Sequence, residues 1–178
     1  TDPEKIWQLP DTTGLKHEVV MLGGRNAFDS ALRLAGGKLV IAATLADLQG
    51  AITAQTALVY TTFRDERVQE ALKVTKAAGV PLLVDASSSV PPFENFTKFA
   101  KWGVDLYTVS GGKGLGGPQC SGVLLGRKDL IDAAMANIAI EASLTGAVTH
   151  LSATPRSVQR ARKARIVADV RLPLTGPE

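Results

Sequence analysis

Two residues of the 178-residue chain combine a chemically active side chain with a position directly after a strand-like run. Asp85 follows the apolar residues 81–84, and Lys113 lies in the glycine-rich stretch 110–118, which follows the run 104–109. A lysine amine that loses its proton is a nucleophile and forms a Schiff base with a carbonyl compound. The flanking glycines leave the backbone uncovered, which permits the close approach of a flat ligand. The alternatives are an exposed lysine in a flexible turn and an aspartate that caps a turn.

The glycine pattern around Lys113 is poorly matched to a nucleotide-binding loop. The glycines have the GxGxxG spacing of a dinucleotide-binding turn, but that turn must open a helix, and here Pro118 and the strand-like residues 121–125 follow. A P-loop requires Ser or Thr directly after its lysine, whereas Gly114 follows Lys113. The sequence therefore disfavours both kinds of phosphate site.

The sequence around these residues alternates apolar, β-branched runs with segments of helical periodicity. This alternation predicts right-handed crossovers and a mainly parallel sheet in a three-layer α/β/α fold. Ligands in open α/β sheets collect at the carboxyl ends of the strands, so we expect Asp85 and Lys113 at the ends of successive strands. The predicted strands are 18–22, 38–41, 57–61, 80–84, 104–109 and 121–125, and the predicted helices are 26–35, 45–52, 65–78, 93–102 and 128–139.

A carboxylate at one strand end and an imine-forming lysine at the next are the two groups that a pyridoxal 5′-phosphate site requires. The carboxylate keeps the pyridine nitrogen of the cofactor protonated, so that the ring acts as an electron sink. The lysine binds the cofactor covalently. Asp85 and Lys113 thus indicate this cofactor by their chemistry and by their predicted positions.

Four segments resemble the selenocysteine synthase-like group of fold-type I pyridoxal 5′-phosphate enzymes. Residues 110–131 look like the Schiff-base segment of this group, and residues 84–92 are similar to its pyridine-nitrogen segment. Residues 1–6 and 9–14 resemble a stretch that precedes them. The group contains ammonia-lyases and tRNA-dependent selenium transferases, and the ammonia-lyase-like branch is the better match.

The resemblance implies a role for each matching position. Lys113 would hold the cofactor as a Schiff base and then move protons at the substrate Cα, and Asp85 would pair with the pyridine nitrogen. Ser110 would place a hydroxyl near the cofactor phosphate, and Ser87 would contact the ring face or its O3′ atom. Arg25 would bind an anionic group of the substrate, although a surface arginine is an equal alternative.

The resemblance also implies parts that this sequence does not match. The group has a phosphate-binding loop upstream of the segment that begins here at Thr1, and a small C-terminal domain unlike residues 141–178. Gly24 stands where the group has a histidine. We therefore expect the chain to be a fragment that is truncated at its ends. Residues 1–140 would form an incomplete pyridoxal phosphate-binding large domain, and residues 141–178 a divergent basic C-terminal segment.

Charge separates these two regions. The formal net charge is +3, yet residues 151–178 carry six basic and two acidic residues, which leaves the first 150 residues slightly acidic. A near-neutral body argues against a protein whose whole surface binds nucleic acid. A contact between tRNA and the basic segment stays open as the less favoured partner.

The expected function is a lyase or transferase that acts on an amino acid or an amino sugar acid, by elimination of ammonia or water. The first alternative is an enzyme like L-seryl-tRNA(Sec) selenium transferase, and the second is a catalytically inactive fragment. The resemblance implies a homo-oligomer, a dimer or higher, with a small-molecule, amino-acid-like substrate.

The composition of the chain also predicts its cellular location and whether it binds a metal ion. The chain has one cysteine, Cys120, no visible leader, and no apolar run long enough for a membrane helix, so we expect a cytoplasmic protein without a membrane partner. His17 and His150 are far apart and lack ligand spacing with Cys120, so we predict no metal site.

Overall fold

A mainly parallel sheet organises the residues that the structure, a computed structural model, describes, namely 3–119, 121–145, 151–152 and 168–169. Its six strands in this part of the chain are β1 (Glu18–Leu22), β2 (Lys38–Ala42), β3 (Thr56–Thr61), β4 (Leu82–Asp85), β5 (Leu106–Ser110) and β6 (Gly122–Gly126). Their order across the sheet is β2-β1-β3-β4-β5-β6. The first five strands in the chain are parallel, and β6 runs antiparallel to β5.

Helices connect the parallel strands, as the alternating sequence pattern predicts. They are α1 (Asp29–Leu34), α2 (Leu45–Ala51), α3 (Arg67–Ala77) and α4 (Asn95–Trp102). A further helix, α5 (Lys128–Thr145), follows β6, and a 3₁₀ helix spans Pro3–Gln8. Two short strands, β7 (Leu151–Ser152) and β8 (Ala168–Asp169), pair in parallel with each other. The mainly parallel α/β fold is confirmed. Among the described residues, no helix combines the length and apolar character needed to span a membrane.

Local sequence chemistry explains where several helices begin and end. The Thr44 backbone N–H and hydroxyl both donate to Asp47, which forms a capping box at the start of α2. Gly79 adopts φ +65° just after α3, a conformation that glycine enters without strain. The predicted helix 26–35 starts too early, because the Asn26 side chain accepts the Phe28 N–H in a turn that competes with helix formation.

The predicted domain boundary at residue 140 falls inside α5, which continues to Thr145. The basic residues that distinguish the C-terminal segment, from Arg156 to Arg171, lie outside the described residues. The proposed division of the chain at this point stays a prediction.

The main hydrophobic core lies on the face of the sheet that α2, α3 and α4 cover. Val59, Val84 and Val109 point into it from three neighbouring strands, and each is at most 1% exposed. Phe99 of α4 is fully buried there and packs edge-on against Trp102 and at a tilt against Tyr107, with ring centroids 5.7 and 5.5 Å away. Adjacent residues of β4, such as Asp85, therefore face the opposite side of the sheet.

Phe99→Ala tests this packing. Removal of a fully buried ring leaves a cavity, so we expect the free energy of unfolding to fall by about 3–5 kcal/mol. Phe93→Ala is the matched control, since Phe93 is 64% exposed and its loss should change stability by less than about 0.5 kcal/mol. Urea denaturation followed by circular dichroism measures both. Equal losses in the two variants would contradict the assignment of Phe99 to the core.

Candidate active site

The parallel register of β4 and β5 brings Asp85, Ser110 and Lys113 to the carboxyl ends of these two strands. Asp85, the last residue of β4, lies opposite Thr108 of β5. Ser110 ends β5 on the same face as Thr108, and Lys113 lies in the turn that follows. The sequence prediction that Asp85 and Lys113 follow neighbouring strands therefore agrees with the structure.

Lys113 reaches from its turn to the segment that follows β4. Its Nζ atom donates a hydrogen bond to the Ser88 hydroxyl, at 3.1 Å. Both side chains are exposed, so the lysine amine is open to solvent. The contact nevertheless joins the two strand ends, because Ser88 lies three residues after Asp85.

The Asp85 carboxylate is half-buried and accepts hydrogen bonds on both oxygens. Oδ1 accepts the backbone N–H of Ser87 at 2.9 Å and also its hydroxyl, and Oδ2 accepts the hydroxyl of Tyr60 at 2.9 Å. Burial raises the pKa of Asp85, but the bonds from Ser87 and Tyr60 and the positive charge of Arg64 outweigh it. The net pKa lies below the ordinary value, so Asp85 is an anion at neutral pH.

The two predicted serines occupy different positions around this carboxylate. The Ser87 hydroxyl is engaged with Asp85, and the Ser87 carbonyl accepts the Ser110 N–H at 3.3 Å. Ser88, which the sequence interpretation passed over, is the serine that contacts Lys113. The structure thus brings Asp85, Ser87, Ser110 and Lys113 to one edge, with Ser88 between the two charged groups.

The glycines of the Lys113 turn accommodate the chain itself. A Cβ atom on Gly114 would collide with the Val90 carbonyl, and one on Gly112 would lie 2.5 Å from the Cα atom of Gln119. At these two positions the missing side chain lets the turn pack against neighbouring segments. The expected access of a flat ligand to the backbone of this turn stays a prediction.

The described hydrogen bonds of the Arg25 side chain go to Asp29, and not to Asp85 or Lys113. Arg25 follows β1, and its guanidinium binds Asp29 of α1 through Nε, at 2.6 Å, and Nη2, at 3.1 Å. Asp29 is 4% exposed, and the hydrogen bond from Arg25 lowers the pKa of its carboxyl. The Arg25 side chain itself is 59% exposed, so the pair presents a fixed cation at the carboxyl edge of the sheet.

Sequence inspection missed two further residues that contact Asp85. Tyr60 donates to the carboxylate from β3, and Arg64, just after β3, donates its Nε–H to the Asp85 carbonyl at 3.1 Å. A tyrosine near the carboxyl end of a strand was a usable signal, because a buried phenol needs a hydrogen-bond partner. The identity of that partner was not readable, since it depends on the register between β3 and β4.

Metal chemistry has no support among the described residues, where no group of three His, Cys, Asp or Glu side chains converges. Of the residues considered as ligands, Cys120 and His150 lie outside the described part of the chain. The His17 ring lies at the other end of β1, where Nδ1 is 3.2 Å from the Leu15 carbonyl oxygen.

Comparison with known families decides the kind of protein. A model of the aminotransferase class-V family matches residues 41–155, which is more than half of the chain and includes both strand ends of the site. The chain belongs to the aminotransferase class-V family. The resemblance to fold-type I pyridoxal 5′-phosphate enzymes is therefore confirmed, and so are the predictions of an enzyme and of this cofactor at the level of the family.

Two characterised enzymes are similar in sequence to this class-V chain. It is 32% identical over 152 residues to the D-glucosaminate-6-phosphate ammonia lyase of Salmonella typhimurium, over 76% of the chain and 40% of that protein. It is 28% identical over 140 residues to the L-seryl-tRNA(Sec) selenium transferase of Aquifex aeolicus, over 65% of the chain and 31% of that protein. The chain thus spans less than half of the length of either relative.

Solved structures agree with the class-V assignment. A structure of D-glucosaminate-6-phosphate ammonia-lyase superposes with a TM-score of 0.63 at 27% identity, over 76% of this chain and 40% of that one. A cysteine desulfurase of Escherichia coli superposes with a TM-score of 0.51 at 18% identity, over 72% and 37% of the two chains, and shows the fold alone.

The residues at the carboxyl ends of β4 and β5 include an anion, a primary amine and a hydroxyl, which are groups that pyridoxal 5′-phosphate can use. Asp85 is a half-buried anion, the kind of group that can pair with a pyridine nitrogen, and Lys113 is a primary amine after the adjacent strand. Ser110 supplies a hydroxyl on the same edge. The residues present therefore fit the family cofactor in their chemistry.

Gly114→Ala tests the packing of the Lys113 turn. The added methyl group must push the turn away from the Val90 carbonyl, so we expect the free energy of unfolding to fall by about 1–3 kcal/mol. Gly50→Ala is the matched control, because open space surrounds Gly50 in α2 and alanine should stabilise that helix by about 0.5–1 kcal/mol. Urea denaturation should show opposite signs, and a stabilising Gly114→Ala would contradict the close packing.

Proposed function

We propose that this chain carries the cofactor and substrate groups of a pyridoxal 5′-phosphate-dependent lyase that eliminates ammonia or water from an amino acid or an amino sugar acid. The observation that carries the proposal is the link from the Asp85 strand end to Lys113 through Ser88. The reaction class is supported by the greater identity and coverage of the ammonia lyase relative.

Asp85 has the charge that its proposed role requires. An anion opposite the pyridine nitrogen keeps that nitrogen protonated, and the low pKa of Asp85 maintains the anion at neutral pH. Its ionisation also stabilises the fold: because the folded pKa is depressed, this contribution is complete above the unfolded value of about 3.9 and is lost as the pH falls through the lower folded value.

Lys113 is the proposed catalytic residue. When bound, the cofactor supplies an electron sink for the negative charge that develops at the substrate Cα. The Lys113 amine takes the proton from this carbon and returns it to a leaving or product atom, and Ser88 holds the amine at the strand edge while it is free. The exposed position of Lys113 gives a small substrate access to Nζ.

The two remaining serines are proposed to bind the cofactor by hydrogen bonds. Ser110 would donate to the phosphate, and Ser87 would act near the ring, on the Asp85 side. The Ser87 hydroxyl already donates to Asp85, so its proposed contribution to binding includes the orientation of that carboxylate.

Lys113→Ala tests the covalent role of the lysine. After addition of pyridoxal 5′-phosphate and reduction with borohydride, we expect the cofactor mass on the tryptic peptide that contains Lys113, and its complete loss in the variant. Lys101→Ala, which removes an exposed lysine of α4, should retain full labelling. Mass spectrometry of the reduced peptides measures the labelled fraction.

Equal labelling of Lys113→Ala and the parent chain would refute the assignment. Absence of any specific labelling in the parent chain would favour the alternative of a catalytically inactive fragment. The two results are distinct, because the first leaves the cofactor bound at another amine and the second leaves it unbound.

Arg25 is proposed to bind an anionic group of the substrate. Asp29 fixes two of its nitrogen donors and leaves Nη1 without a described partner, so the exposed edge of the guanidinium is available for a carboxylate or a phosphate. Arg25 follows β1, and Met21 of β1 lies opposite Tyr60 in the β1–β3 ladder, so this loop leaves the sheet next to the strand that carries Tyr60.

Arg25→Gln should raise the KM for D-glucosaminate 6-phosphate about 10- to 100-fold, since a charge-assisted contact is lost while Lys113 is unchanged. Ammonia release measures the rate. Arg33→Gln is the control, because Arg33 also lies near Asp29, at 3.6 Å, but on α1 beyond the loop. An equal rise in KM for Arg33→Gln would show a general charge effect and contradict the specific role.

The seryl-tRNA-dependent transferase remains the second candidate, supported by the relative in Aquifex aeolicus. Selective retention of seryl-tRNA(Sec) with a steep salt dependence, and no ammonia release, would favour it over the lyase. Assembly as a homo-oligomer and a cytoplasmic location stay predictions that accompany either reaction.

A further inference from the structure

Tyr60 reaches the candidate site from a strand that carries none of the predicted site residues. It lies opposite Leu83 in the β3–β4 ladder, so Asp85, two residues further along β4, is its diagonal neighbour on the same face. The Tyr60 hydroxyl donates to Asp85 Oδ2 at 2.9 Å, and the tyrosine is 8% exposed. Its ring packs with Val19 and Met21 on the side of the sheet opposite the main core.

The two oxygens of Asp85 are held by different parts of the chain. Oδ1 accepts hydrogen bonds from Ser87, which lies two residues away in the turn that follows β4. Among the described residues, Tyr60 supplies the hydrogen bond to this carboxylate from another strand. This contact relates the carboxylate plane to a neighbouring strand, because a ladder of backbone hydrogen bonds joins β3 to β4.

A neutral donor suits this position. Burial and the neighbouring Asp85 raise the pKa of Tyr60 to about 12, while Asn26 and Arg64 act in the opposite sense. The phenol therefore keeps its proton and stabilises the anion without neutralising its charge. A carboxylate oxygen accepts more than one hydrogen bond, so Oδ2 keeps acceptor capacity for a pyridinium N–H.

We propose that Tyr60 is a positioning residue of the cofactor site, which orients the Asp85 carboxylate through Oδ2 for the pyridine nitrogen. This inference rests on the proposed function, since it assigns Asp85 to that nitrogen. The competing explanation is that Tyr60 is a core residue whose buried hydroxyl uses Asp85 merely as a partner.

Tyr60→Phe and Tyr107→Phe form a matched pair of variants. Tyr107 lies in β5, is 1% exposed, and donates its hydroxyl to the Phe96 carbonyl at 2.6 Å. Each substitution therefore removes one hydroxyl and one hydrogen bond from a buried ring, but only the first touches Asp85. Any general loss of stability should appear in both variants.

The first readout is the carboxyl carbon of Asp85 in the cofactor-free chain, titrated by NMR. A donor to the charged form lowers a pKa, so Tyr60→Phe should raise the pKa of Asp85, and Tyr107→Phe should leave it unchanged. The second readout is the Kd for pyridoxal 5′-phosphate, which should rise roughly 10-fold in Tyr60→Phe and stay within about 2-fold of the parent value in Tyr107→Phe.

An unchanged pKa of Asp85 in Tyr60→Phe, or an unchanged Kd, would overturn the proposal, as would equal effects in the Tyr107 variant. Failure of the proposed function gives a different pattern. In that case the parent chain shows no Lys113-dependent labelling and no affinity for the cofactor, so Tyr60 has no role in cofactor binding. The shift in the Asp85 pKa then shows only that Tyr60 contacts Asp85.

Discussion

The parallel ladder between β4 and β5 is the constraint on which the candidate site depends. Because Asp85 lies opposite Thr108, the segments that follow the two strands emerge at one edge, where Lys113 reaches Ser88. A shift of the register by one residue would turn one set of side chains to the other face of the sheet. The distribution of apolar side chains opposes such a shift, since Val84 and Val109 must both enter the main core.

The same alternation that buries Val84 gives Asp85 its electrostatic setting. Asp85 points to the less enclosed face, where the carboxylate is half-buried rather than removed from water. Partial burial strengthens the hydrogen bonds from Ser87 and Tyr60, and those bonds exceed the desolvation that opposes the charge. The site therefore holds an anion beside a sheet of apolar strands, which is the setting that the proposed pairing of Asp85 with a protonated pyridine nitrogen needs.

Much of the fold was predictable from the sequence because its signals are local. Apolar runs, helical periodicity and stop glycines such as Gly79 located the strands and helices to within a few residues, except that α5 continues to Thr145 instead of ending at residue 139. Errors arose where a side chain altered the local chain, as Asn26 does before α1. The site was predictable only as two strand ends, and the partners of each group, such as Ser88 for Lys113, came from tertiary contacts.

The sequence by itself determined that an aspartate and a glycine-flanked lysine follow neighbouring strands, and that these residues suit pyridoxal 5′-phosphate. Those properties follow from residue type, periodicity and order along the chain. Only the tertiary structure decided that Tyr60 binds Asp85 and that Gly114 makes room for Val90. The physical reason is that both contacts join segments distant in sequence, so they depend on strand register and on the space left by packing.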